Sequence, residues 1–151
     1  MTTMTSNLPR HVGWLGYGGL MPFLALAALA SLDPHHPVVW SDALVGYGAV
    51  ILSFVGALHW GVAMSVPDLD PVRRRRAFVW SVVPALLAWP ATLLAGTIAP
   101  LLLVVGFVLC FVQDKSLAGV AGLPVWYLPL RLRLTLVASS CLLLNAWQAL
   151  A

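Results

Sequence analysis

Charge is scarce in this chain. Of its 151 residues only 9% are Asp, Glu, Lys or Arg, against 61% that are hydrophobic. Soluble domains carry roughly 25% charged residues. A water-soluble core cannot hide so much apolar surface in so short a chain, which excludes soluble folds and sets the class as polytopic membrane protein. The basic excess is small, a formal +3. Its residues sit in loops beside apolar runs, so it is not the footprint of a nucleic-acid partner. Cysteine is scarce too. Cys110 and Cys141 both fall inside apolar runs, about 10 Å apart in depth in the layout below. A disulfide needs its Cα atoms within about 7 Å, so two buried thiols packing as small hydrophobes are expected.

Catalytic motifs are also lacking. There is no Walker loop, GxGxxG, CxxC, HExxH or GxSxG nucleophile elbow, which leaves no ground for an enzyme. No carboxylate falls within any span assigned below, which argues against a proton- or sodium-coupled transporter. The halves show no inverted repeat either.

What is present is a set of long apolar runs. Tyr47 to Met64, YGAVILSFVGALHWGVAM, has no formal charge and one histidine, His59. The first span is about 12–31, with Pro22 expected to kink it and Gly13, Gly16 and Gly19 giving a smooth face. Ala28-Leu29-Ala30 resembles a signal-peptide cleavage site, but the run is longer than a usual signal sequence and contains Trp14, Tyr17, Pro22 and three glycines, which favours an uncleaved span. Leu32 to Asp42 is a loop by its Pro and Asp content. The second span is about 43–66. Pro67 to Arg76 is a short loop ending in Arg73, Arg74, Arg75 and Arg76. Ala77 to Val112 is 36 residues, about 54 Å as one helix and far beyond a hydrocarbon core of about 30 Å. It must fold back, and Gly96-Thr97 followed by Pro100 marks the break. That gives spans of about 77–95, with Pro84 and Pro90 inside, and about 98–112, short enough for a re-entrant hairpin. Gln113 to Leu130 is a longer loop, with Trp126 and Tyr127 at headgroup level. The last span is about 132–149.

The expected fold is an all-α bundle of five transmembrane helices in a single integral membrane domain, residues 1–151. With five spans, Arg10, the four arginines, Lys115, Arg131 and Arg133 all fall on one side, and these are all eight basic residues. The positive-inside rule makes that side cytoplasmic, so the N-terminus is inside and the C-terminus outside.

Four features are candidates for function. His59 lies about 10 Å deep, where ionisable groups face the bundle interior and have partners. It suits a haem ligand, a quinone contact with Trp60 nearby, or a proton-transfer group. The plainer reading is a neutral imidazole bonded to a hydroxyl or carbonyl on a neighbouring helix. Within one chain, bis-histidine haem ligation lacks a second histidine at that depth: His35 and His36 are on the opposite face and His11 is shallow, so a dimer would have to supply a second His59. Ala49, Ser53, Ala57 and Gly61 repeat every four residues as a small-residue ridge for close helix approach, within the bundle in preference to a homodimer seam. Arg73 to Arg76 act as a topology signal or a surface for anionic lipid. Asn145 and Gln148 read as interhelical hydrogen-bond partners, and Arg131 and Arg133 as side chains snorkelling to the interface.

The stretches GYGGLMPF (16–23), YGAVILSFVGALHWG (47–61), WSVVPALLAW (80–89) and LPVWYLPLRLRLT (123–135), in this order over nearly the whole chain, resemble the family called domain of unknown function 3429, the transmembrane protein 69-like proteins. The resemblance implies a small multi-span protein of bacterial inner membranes or, in eukaryotes, mitochondria. It assigns no activity, cofactor or catalytic residue. With only Arg10 ahead of the first span, a bacterial inner membrane is the expected location. The expected function is a non-enzymatic accessory or assembly partner in the lipid bilayer, binding a larger, respiratory membrane complex or a second copy of itself. The alternatives are a quinone- or haem-binding redox protein using His59, and a small-solute channel or carrier.

Overall fold

The computed structural model describes residues 9–150, so the ends of the expected 1–151 domain lie outside the described residues. Among them there are six helices and no strand: α1 (Arg10–Gly18), α2 (Met21–Leu32), α3 (Pro37–Ser65), α4 (Pro71–Ala91), α5 (Ile98–Ala121) and α6 (Tyr127–Gln148). The all-helical membrane class holds. Four stretches are long and apolar enough to cross a bilayer: Arg10–Leu32, Pro37–Ser65, Ile98–Gly119 and Tyr127–Gln148. α4 is diluted by its arginines. Its apolar part, 77–91, reaches only about 22 Å.

α1 and α2 form one broken rod. Pro22 is in the first turn of α2, and its ring lacks an N–H and crowds the carbonyl four residues back. That carbonyl belongs to Gly18, where α1 ends. The Tyr47 hydroxyl, from α3, donates to the freed Gly19 carbonyl at 2.9 Å. Phe23 then meets Tyr47 and Phe107 edge-on, with centroids 5.1 and 6.1 Å apart, and these rings centre the core between α2, α3 and α5.

Three expected boundaries need correction. α3 begins at Pro37 instead of residue 43, because Asp33 organises the preceding turn: its carboxylate accepts from the His35 amide and the Trp40 indole, each at 2.9 Å. The four arginines belong to α4 and not to a loop. The Asp70 carboxylate caps that helix by accepting from the amides of Val72 and Arg73, and Pro71 opens it where no N–H is needed. The largest correction concerns 113–130. α5 continues to Ala121, where Gly122 ends it with a φ of 60°, and only a short connection separates it from α6. At 24 residues, α5 is about 36 Å long, enough for a full crossing.

Close packing in α3 runs along a different line from the expected ridge. A Cβ added at Gly56 would lie 2.7–3.1 Å from the Pro84 ring of α4, and one at Gly106 of α5 would collide with Leu52. Gly48 faces Leu103. By contrast Ala57 is exposed and nothing lies within 4 Å of a Cβ placed on Gly61. Of the four ridge residues Ala49 is buried and Ser53 half-buried, with its hydroxyl turned back to the Ala49 carbonyl. A four-residue repeat advances about 400° per step, so it drifts about 40° each time and leaves the packed face within three steps.

Candidate functional site

Three helices deliver polar groups to one level of the bundle. His59 lies six residues before the end of α3, Asp114 seven before the end of α5, and Arg131 four after the start of α6. α3 and α5 therefore end, and α6 begins, on the same side. His59 and Asp114 retain only 3% and 2% of their exposure and Arg131 6%. The Arg131 guanidinium donates through Nε to Asp114 Oδ2 at 2.7 Å, and the Tyr127 hydroxyl donates to Asp114 Oδ1 at 3.1 Å. His59 Nε2 stands 3.5 Å from the same Oδ1. That is electrostatic contact without hydrogen-bond alignment, so both ring nitrogens of His59 are left without a hydrogen bond.

This overturns three expectations. A carboxylate does lie inside a span, and Arg131 is held inward by it instead of snorkelling. A charge in hydrocarbon is tolerated only when paired or turned to the interior, and Asp114 satisfies both conditions. The partner of His59 is a carboxylate in place of the expected hydroxyl or carbonyl. Arg133, two residues after Arg131 and so on the far side of α6, is exposed and donates to the Tyr17 hydroxyl at 3.2 Å. The sequence expectation leaves Asp114 in a loop and Tyr127 at headgroup level, and neither is a site candidate there. The signal was there: Leu103, Phe107, Cys110 and Asp114 are all buried, at the 4-3-4 spacing of one helix face.

Two cavities flank the cluster. One, of about 260 Å³, has His59 and Trp80 in its wall along with Gln113 and Ser116, and Arg73 and Arg76 of α4 at its rim. The Trp80 indole N–H is buried there without a partner. The other is an apolar groove of about 490 Å³ between α1, α2, α3, α5 and α6, walled by Phe23, Phe54, Phe107 and Leu134. It reaches Arg131 and Thr135, whose Nη2 and Oγ1 atoms are buried with no hydrogen bond. His59 and Trp60 do not share either cavity wall. Trp60 turns outward and meets Phe78 edge-on at 5.0 Å.

The remaining sequence candidates are placed as follows. Arg74 donates to the carbonyls of Val66 and Pro67, at 2.9 and 2.7 Å, and so ties off the end of α3. Arg75 is exposed. Gln148 donates to the Ser31 hydroxyl of α2, whereas Asn145 Nδ2 is buried without a partner. Cys110 and Cys141 are free and buried. Among the described residues no three His, Cys, Asp or Glu side chains cluster as a metal site.

Known proteins share this sequence. Transmembrane protein 69 of Xenopus tropicalis is 37% identical over 136 residues, covering 87% of this chain and 52% of the relative. Transmembrane protein 69 of Mus musculus is 27% identical over 137 residues, covering 90% and 55%. The chain thus spans about half the length of these curated relatives. No solved structure matches it. The family described as protein of unknown function (DUF3429) matches residues 8–147, and the chain belongs to that family.

Proposed function

We propose that this chain acts without catalysis, as an accessory or assembly partner that binds other components of a larger membrane complex. The observation behind this reading is that the buried carboxylate is satisfied within the chain. Asp114 is engaged by Arg131, Tyr127 and His59 of the same chain, an arrangement that fixes the register of α3, α5 and α6 and holds no nucleophile against a base. We further propose that the arginine-bearing end faces the cytoplasm, that α4 completes five crossings with the C-terminus outside, and that the membrane is a bacterial inner membrane. The respiratory character of the complex follows from the family resemblance alone. Crosslinking and affinity purification from native membranes test the reading. A stoichiometric complex that survives gel filtration supports it, and a chain that leaves the membrane alone refutes it.

A second reading is favoured by the apolar groove. Its one polar corner offers Arg131 Nη2 and the Thr135 hydroxyl, one turn apart on α6, beside aromatic walls. Apolar walls with a few convergent donors suit a neutral carbonyl headgroup on an apolar tail, as in a quinone. The contact then passes from His59 and Trp60 to Arg131 and Thr135. Protein purified in mild detergent with no extractable quinone and no visible absorption removes both the quinone and the haem alternatives. For haem, His36 at the start of α3 is 23 residues from His59, about 35 Å away along the helix. A channel or carrier can no longer be argued against from missing acids, since Asp114 is present; a liposome flux assay decides that alternative.

A further inference from the structure

The cavity beneath Arg73 and Arg76 is unused by the accessory reading and does not rest on it. Its chemistry is one-sided. Arg73 and Arg76 are three apart on α4 and flank the cavity's mouth, and among the described residues neither pairs with a carboxylate. In its wall, the Trp80 indole N–H is buried with nothing to donate to, and His59, 97% buried, has neither ring nitrogen hydrogen-bonded. Ser116 of α5 also lines it, its hydroxyl already donating to the Gln113 carbonyl at 2.9 Å. The negative charge of Asp114 behind His59 is offset by Arg131 at 2.7 Å, so the two rim guanidiniums leave the site with an excess of positive charge.

From this arrangement we infer that the cavity is a binding site for a phosphate group, with Arg73 and Arg76 holding its oxygens, the Trp80 indole donating from within and His59 forming part of the wall. Guanidinium groups match phosphate oxygens in paired fashion. A tetrahedral oxyanion accepts on several faces at once, which suits two rim guanidiniums and an inner indole N–H better than a planar carboxylate does. Bulk attraction between four arginines and an anionic surface would not need a buried indole or imidazole. The phosphate can come from a lipid headgroup at the membrane surface or from free phosphate.

The test uses the full chain reconstituted in phosphatidylcholine nanodiscs, with and without phosphatidic acid, and a separate titration with inorganic phosphate in detergent. Native mass spectrometry counts retained lipid, and calorimetry follows phosphate. The variant pair Arg73→Gln/Arg76→Gln weakens binding about tenfold or more, the loss of two charge-assisted contacts. Arg75→Gln, which removes the same kind of charge from a position outside the cavity, changes it by less than about threefold. Trp80→Phe, which deletes only the inner donor and leaves the exposed charges alone, gives a smaller loss in the same direction. Binding of phosphatidic acid but not phosphate assigns the site to a headgroup, and comparable binding of both assigns it to the free anion; either supports the site. A loss from Arg75→Gln as large as that from Arg73→Gln/Arg76→Gln, or no saturable binding of either probe, overturns it.

Discussion

Removing the charge from Asp114 is the sharpest perturbation this structure offers. In Asp114→Asn the shape stays and the carboxylate goes, leaving the Arg131 guanidinium at 6% exposure with no counter-charge. Taking one partner from a buried pair costs about 3–5 kcal/mol, because the remaining ion is uncompensated and not because the pair itself is worth that much. For a chain of this size that corresponds to a fall in Tm of roughly 10 °C. Asp114→Leu and Arg131→Met should each destabilise by a similar amount. The double variant Asp114→Leu/Arg131→Met should recover much of the loss, since it leaves no orphaned charge; Tyr127 is half-buried and its hydroxyl can turn elsewhere. Thermal unfolding in one fixed detergent, read by tryptophan fluorescence, gives all four corners of the cycle. If Arg131 instead reached the interface, as its place beside a span suggests, Asp114→Asn would cost under about 1 kcal/mol. Additive losses, or a mild Asp114→Asn, would therefore refute the buried pair.

Other substitutions test the packing and the helix ends. Gly56→Ala pushes a methyl to within 2.7 Å of a rigid Pro84 ring and should cost about 1–3 kcal/mol by the same unfolding assay, whereas Gly61→Ala, which meets nothing within 4 Å, should be neutral. A Gly61→Ala variant that dissociates a dimer on gel filtration would restore the ridge as a seam between copies. Tyr47→Phe frees the Gly19 carbonyl at the break between α1 and α2 and should cost about 1 kcal/mol in a denaturant titration. Asp70→Ala removes the cap of α4 and should cost about 1 kcal/mol and fray its first turn in hydrogen exchange. The Trp40 indole, then the His35 amide and His36, hold the Asp33 carboxyl below its ordinary value of 3.8. A depressed carboxyl contributes its stabilisation above the unfolded value and loses it as pH falls through the folded one. Carboxyl NMR should therefore place its midpoint below 3.8, and Trp40→Phe should move it upward.

Much of this architecture is written in hydropathy and charge order. The apolar runs, the fold-back near Gly96 and the break near Pro22 follow from length limits and from what proline does to a helix. Two kinds of information were not local. One is rotation: Ala49, Ser53, Ala57 and Gly61 look like a ridge on paper, but the face that touches α4 and α5 passes through Gly48, Leu52, Gly56 and His59, and only the partner helices select it.

The other is the pairing of charges between helices. Ending the fourth span at about Val112 leaves Asp114 and Lys115 in the loop that follows, where a charge is not costly. The cost in lipid applies to an isolated ion. Once α6 brings Arg131 to Asp114, the reason for ending the helix at Val112 disappears, and α5 gains the length it needs to cross. The same pairing means that His59 is not a lone ionisable group, because the carboxylate 3.5 Å away lies in the bundle and not in water. A charge bordering an apolar run therefore marks the membrane surface only if no opposite charge on another helix can reach its depth. Here Asp114 sits on the face of Phe107 and Cys110, and Arg131 on the face of Thr135, Ala138 and Leu142. Each continues the buried periodicity of its own helix, and that continuity, more than hydropathy, separates a paired interior charge from one that ends a span.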